Sequence, residues 1–379
     1  MNRAGQTLTI HPTPSPIPEQ SSPTRSLSPH RGGETVLDEH TLIRRWGIIL
    51  SFLIIFFPLI SCVDETEYDN TPEGNLEALW HIIDEHYCFF DYKAHEYGLD
   101  WNAVYHIYKV RAKGVNNNDQ LFEVLTDMLS ELRDGHVNLS TAFDYGRYWS
   151  WYEEYPSNFS DTLQRRYLGT DYKIASALTY RILDDQIGYI YDGSFSSPIG
   201  EGNLDEVMEH LMFCNGLIID IRGNGGGQLT NAERLAARFC NEKTLVGYMQ
   251  HKTGKGHNDF SEMKEQYLEP SSNLRWQKNV VVLTNRQVFS AANEFVKYMK
   301  CFPQVKVVGD KTGGGAGMPF NSTLPNGWTV RFSACPMYDR NRQSTEFGIE
   351  PDYYVGLDKW DFIKGQDTLI EFARELLKK

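Results

Sequence analysis

Asn279-Val-Val-Val-Leu-Thr-Asn-Arg-Gln-Val-Phe-Ser290-Ala-Ala-Asn-Glu-Phe295 reads, in order, as a buried strand, a polar turn, a serine and a helix. The unbroken apolar run 280–283 is what a sheet covered on both faces demands. Residues 291–299 return to helical periodicity, so Ser290 falls at a helix N-terminus just beyond the carboxyl end of a strand. Free amides and a positive dipole end favour an anion there. Two readings follow: a nucleophile whose developing oxyanion meets the Ala291 amide, or a serine that only caps the helix.

Working outward, the same alternation recurs. Residues 187–191, 216–221 and 305–308 read as strands, and 204–213 and 232–239 as helices. From about residue 176 to 379 the chain is therefore expected to form an α/β domain. Upstream, apolar residues spaced by three and four predict helices over 75–87, 101–112 and 119–132, with Asp119 capping the third. These form an N-terminal helical subdomain, 74–137. The link 138–175 is rich in aromatics (Tyr145, Tyr148, Trp149, Trp151, Tyr152, Tyr155) and has no clear period.

The N-terminus carries an address. Arg44 and Arg45 precede the apolar run 48–60, too short for a comfortable membrane span. It ends in Leu59-Ile60-Ser61-Cys62, which looks like the lipobox of bacterial lipoproteins, so 41–61 reads as a signal peptide and Cys62 as a lipidated mature N-terminus. A plain secretory signal or a short anchor helix is the alternative, and each reading places the bulk of the chain outside the cytoplasm; the lipid-anchored reading puts it in the cell envelope, periplasmic or on the outer-membrane surface. Residues 1–40, rich in Pro and Ser, read as a disordered extension or a mispredicted start, and 62–73 as an acidic tether.

Composition narrows the partners. A net charge of -13 with scattered Lys and Arg excludes a nucleic-acid surface. The six cysteines lack zinc or redox spacing, and His81 and His86 are five apart, so neither a metal nor another cofactor is expected.

Two more segments carry chemistry. Asp220-Ile-Arg-Gly-Asn-Gly-Gly-Gly227 follows a strand and lets backbone approach a ligand closely, offering a second oxyanion amide from Gly225 or Gly226, or else a simple glycine turn. Asp134-Gly-His136 follows the third helix, and histidine is suited to take a proton from serine near neutral pH.

Together with Phe289-Ser-Ala-Ala-Asn-Glu294, Gly309-Asp-Lys-Thr-Gly-Gly314 and Gly348-Ile-Glu-Pro-Asp352, these motifs resemble, in order, the tail-specific protease family, which includes the C-terminal processing peptidases and the catalytic core of tricorn protease. The resemblance implies a crotonase-like α/β core and a serine endopeptidase acting on polypeptides. The processing branch uses a lysine after the serine, but Gly315 stands in that lysine's place and Lys311 is out of register. The tricorn-like branch implies Ser290 as nucleophile, His136 as base and acid, Glu350 as a carboxylate orienting the base, and amides of Ala291 and Gly225 or Gly226 as oxyanion hole. Gly135 stands where the tricorn core has a bridging serine. The family often inserts a PDZ module after the early motif, and 138–175 is too short for one. A non-catalytic binding protein on the same fold and an esterase are the rival functions.

Overall fold

The computed structural model describes residues 67–378. Cys62, the signal segment, residues 1–40 and the first part of the proposed tether, 62–66, lie outside the described residues. No helix among the described residues is long and apolar enough to cross a membrane.

Strands are numbered in chain order. β1 (Asn138–Ser140) and β2 (Tyr145–Arg147) come first, then β3 (Lys173–Ala175), β4 (Leu178–Ile182), β5 (Ile187–Tyr191) and β6 (Gly216–Asp220). β7 (Thr244–Met249), β8 (Lys264–Leu268), β9 (Val280–Thr284) and β10 (Val305–Gly309) follow, then β11 (Gly317–Thr323), β12 (Thr329–Tyr338) and β13 (Tyr353–Tyr354). Among the described residues one sheet runs β13-β10-β9-β6-β5-β4-β3, parallel from β13 to β5 and antiparallel beyond. The other runs β2-β1-β12-β7-β8, with β11 also on β12, and is antiparallel throughout.

The parallel strands are apolar without interruption because both faces are covered. Val280 and Val282 of β9 point into the core under helices Glu201–Leu211, Leu229–Ala237 and Ala291–Met299, while Val281 and Leu283 face the C-terminal helix Thr368–Leu377. Period-two side chains allow both only if the whole run is apolar. The third core lies between the antiparallel sheet, through Leu139, Val330 and Phe332, and helices Pro72–His86, Phe90–Tyr97, Trp101–Ala112 and Asn118–Ser130.

Two expectations need correction. The cap of helix Asn118–Ser130 is Asn117, not Asp119: Asn117 has extended backbone and its side chain accepts the Gln120 amide at 2.9 Å. Helix Phe90–Tyr97 and the antiparallel strands β7, β8, β11 and β12 were not expected, because half-exposed strands with irregular alternation give a weak period.

A buried ion network ties the parallel sheet to the C-terminal helix. Arg222 donates to both Asp220 carboxylate oxygens (2.9 and 2.6 Å) and to both oxygens of Asp367 (3.1 and 3.0 Å), and all three residues are fully buried. Asp367 also caps helix Thr368–Leu377 by accepting the Leu369 and Ile370 amides. Replacing Arg222 with Met leaves two facing carboxylates without a counter-ion, so Arg222→Met is expected to lower the unfolding free energy by about 3–5 kcal/mol. A urea midpoint equal to wild type would show that the network is dispensable.

Just past β5, Asp192 presents the opposite case. Its Oδ1 accepts the Ser194 amide at 3.1 Å, but its Oδ2 is buried without a partner, and burial pushes the carboxyl up to about 6. A raised acid holds its proton more tightly when folded, so stability falls as pH rises from the unperturbed 3.8 and levels off above 6. Asp192→Asn is therefore expected to melt above wild type at pH 8 and together with it near pH 4. Equal melting temperatures at pH 8 would contradict the buried charge.

Candidate functional site

Ser290 follows β9 and opens helix Ala291–Met299, but its side chain makes no cap hydrogen bond. Its backbone sits at φ 57 and ψ −124, a region that costs a non-glycine residue about 1–3 kcal/mol. Hydrogen bonds on both sides hold it there: Phe289 N donates to Asn224 O (3.1 Å) and Ser290 N to Gly314 O (2.8 Å). The turn lifts Oγ away from the helix end and presents it to His136, whose Nε2 lies 2.9 Å away. Of the two readings of Ser290, the geometry favours the nucleophile over the cap.

His136 arrives from the other sheet, two residues before β1. Asp134 fixes its backbone: Asp134 Oδ1 accepts the His136 amide at 2.7 Å, while Oδ2 accepts the Tyr87 and Ser333 hydroxyls at 3.0 and 2.9 Å. Burial pushes the His136 imidazole down to about 4, against the opposing pull of Asp134 and with help from Arg147 and Arg331. It is therefore neutral at pH 7, the form that accepts a proton. With Nε2 facing the hydroxyl, Nδ1 carries the hydrogen, and it is buried without an acceptor among the described residues.

Glu350, expected to orient the base, lies elsewhere. Its side chain is 57% exposed and pairs with Lys311 at 2.9 Å, so the same surface contact occupies both Glu350 and the one candidate lysine. The buried carboxylate of this stretch is Glu346, four residues earlier and just ahead of the motif. Glu346 accepts Lys93 Nζ (3.1 Å) and the Ala316 amide (2.9 Å), and Lys93 also donates to the Arg133 carbonyl. Burial and the nearby Asp134 charge push Glu346 upward, whereas Lys93 and His136 hold Asp134 low despite its burial. No sequence signal singled out Glu346, which precedes the Gly348–Asp352 motif and is distinguished by its burial.

The glycine loop behaves as a pair of unequal parts. Gly226 packs so closely that a Cβ there would meet Ser290 Cβ at 2.8 Å and Ala291 N at 2.9 Å, and its own amide already donates to Asn224 Oδ1 at 2.9 Å. Gly225, by contrast, is exposed, and a Cβ built on it would meet nothing within 4 Å. Asn224, missed in the sequence, organises the loop: it is fully buried, and its Nδ2 donates to Asp192 O.

Phe289 packs at the centre of the site. Its ring lies between His136 (centroids 4.7 Å apart) and Trp151 (4.3 Å), tilted against both. Gly315, at φ 79, would bring a Cβ within 2.5 Å of that ring, and Gly135 within 2.9 Å. Gly135 and Gly315 thus both lie against the same aromatic ring. Behind Phe289, Gly135 and Gly313 opens a cleft of roughly 340 Å³ walled by Tyr97, Tyr148, Trp151 and Tyr155.

A serine hydroxyl in hydrogen-bond contact with a neutral histidine is an arrangement able to attack a carbonyl. Comparison with known proteins agrees. Residues 186–355 match Peptidase family S41, and residues 68–130 match the Tricorn protease C1 domain. The crystal structure of a candidate peptidase from Parabacteroides merdae is 53% identical, with a TM-score of 0.78, covering 82% of this chain and 97% of that one. Mature CPAF complexed with lactacystin (12% identity, TM-score 0.63, 81% and 97% covered) and a lipoprotein from Streptococcus agalactiae (16%, 0.51, 83% and 99%) share the fold. The chain belongs to Peptidase family S41 and is a serine peptidase.

Proposed function

We propose that the protein is an endopeptidase of the cell envelope that cuts polypeptides through a Ser290–His136 dyad. The 2.9 Å contact between His136 Nε2 and Ser290 Oγ carries this reading. His136 takes the hydroxyl proton as Oγ bonds to the scissile carbonyl carbon. The Ala291 and Gly225 amides hold the oxyanion, and the imidazolium returns the proton to the leaving amine. A water then repeats the cycle on the acyl-enzyme and regenerates Ser290.

Asp134 is a positioning residue here. It fixes the base through the backbone, and its charge stabilises the imidazolium that forms. Lys93 helps hold this carboxylate in its ionised form despite its burial, so the function expected of Glu350 falls to a buried network that never touches the imidazole ring. The binding-protein reading gives no reason for a serine held in a costly backbone conformation against a histidine. The esterase reading shares the machinery, and peptide and short-chain ester panels separate the two. Lipidation at Cys62 and an envelope location rest on the signal-like segment 41–61, and a lipoprotein among the fold relatives is compatible with both.

Ser290→Ala and His136→Ala are each expected to cut labelling by a fluorophosphonate probe at least about 100-fold, the usual worth of a nucleophile or its base. Undiminished labelling of folded Ser290→Ala would exclude Ser290. Because only neutral His136 accepts the proton, labelling is lost as pH falls through its depressed value. The acid limb should therefore lie toward pH 4 rather than at the ordinary 6.5, and a midpoint at 6.5 or above would rule out the buried, cation-flanked base.

A further inference from the structure

The cleft beside Phe289 is lined by aromatic rings that the fold leaves partly open. Tyr97, Tyr148, Trp151, Tyr155 and Phe347 wall it together with Phe289. Trp151 is buried, Tyr97, Tyr148 and Phe347 are half-buried, and Tyr155 keeps 46% of its surface exposed. Rings scattered singly over a surface are ordinary, but several gathered around one concavity form the lining of a ligand pocket. The cleft also lies one residue from each reacting group. Phe289 precedes Ser290, Gly135 precedes His136, and Gly313 precedes Gly314, whose carbonyl accepts the Ser290 amide.

Buried hydrogen bonds hold this wall in place. Arg286, in the same turn as Ser290, donates from Nε to the Trp151 carbonyl (2.7 Å) and from Nη1 to the carbonyls of Thr312 (2.7 Å) and Phe347 (3.3 Å). One side chain thereby ties three segments of the chain around the cleft. Its guanidinium carbon also lies 4.4 Å from the Tyr155 ring centre, and that of Arg133 lies 4.4 Å from Tyr97, so two of the rings are packed against cations. The charged groups of the lining balance: Glu96, Glu154 and Asp310 stand against Arg133, Arg286 and Lys311, and Glu346 is already paired with Lys93. A balanced lining exerts no net pull on a charged side chain. Its rings favour a planar apolar one through stacked and edge-on contacts.

We propose that this cleft is a specificity pocket that takes an aromatic side chain of the polypeptide substrate, on a residue next to the scissile bond. The inference rests on the peptidase reading of Ser290 and His136. A residue flanking the attacked carbonyl has its Cα within one residue spacing of it, about 3.8 Å, so its ring is delivered at the Phe289 edge of the cleft. Tyr148, Trp151 and Tyr155 all come from the aromatic-rich link 138–175. Their spacing follows no period because they serve one concave surface rather than one face of a helix or strand. The pocket reads a side chain within the polypeptide, as an enzyme that cuts internally requires.

Binding to the Ser290→Ala protein tests this without turnover. Labelled peptides that differ at one internal position, carrying Phe, Leu, Glu or Lys there, are compared by fluorescence anisotropy. The Phe peptide should bind about tenfold more tightly than the other three, the worth of contact with two or more rings. Tyr155→Ala in the same background should cut that advantage to about twofold. Three outcomes overturn the pocket: equal affinity for Phe and Leu, tighter binding of Glu or Lys, or a Phe advantage that survives Tyr155→Ala with Tyr148→Ala in a protein melting like its parent. In wild-type protein the same order should appear in kcat/KM, with the new chain end beside the Phe. Cuts in casein with no aromatic residue next to them overturn the pocket and leave the peptidase reading intact. Absent cleavage of every peptide and of casein, with the Phe advantage in binding preserved, overturns the peptidase reading alone.

Discussion

The left-handed backbone at Ser290 is the constraint on which the rest of the site depends. A serine at φ 57 relaxes into an ordinary turn unless its neighbours are pinned, and here the ends of three strands pin them. The loop after β6 supplies the Asn224 carbonyl, the loop after β10 supplies the Gly314 carbonyl, and β9 itself leads into the turn. The helix then starts from the same residue, with Glu294 N donating to Ser290 O at 3.0 Å. Gly226 is required because the glycine loop has to close over this turn at contact distance, where a side chain would strike both Ser290 and the Ala291 amide.

Once Ser290 points away from its helix, the base has to come from outside the parallel sheet. Phe289 fixes the direction. Its ring occupies the space above Gly315, so no side chain from that loop reaches Oγ, and the ring's other neighbour is His136. The parallel sheet therefore carries Ser290 and the glycine loop, and the antiparallel sheet carries the strand that His136 leads into. Asp134, Lys93 and Glu346 join the two, since Lys93 comes from helix Phe90–Tyr97 and Glu346 from the segment that accepts the Gly315 amide. A buried arrangement of two carboxylates and one lysine tolerates a single charge state well, which keeps Asp134 ionised beside the imidazole.

Some of this was written locally. The runs 280–283 and 216–221 identified buried parallel strands because a strand covered on both faces has no polar position. The strand-turn-serine-helix order located Ser290, and the spacing of the early motif placed His136 at the end of a helix. The irregular segment 138–175 stayed unread because β1, β2 and two short helices there are held by contacts with distant residues, such as Arg286 donating to the Trp151 carbonyl.

By itself the sequence determined the parallel α/β core, the helical subdomain, and the identities of the serine, the histidine and the glycine loop, since each depends on neighbours a few residues away. Tertiary structure alone decided which glutamate is buried, which glycine amide meets Asn224, and which ring packs against Gly315. Glu346 and Glu350 differ only in what folds over them, Gly225 and Gly226 only in whether Asn224 reaches their amides, and Gly315 only in the ring packed against it. Burial and hydrogen-bond competition between segments far apart in the chain are properties of packing, which no local pattern encodes.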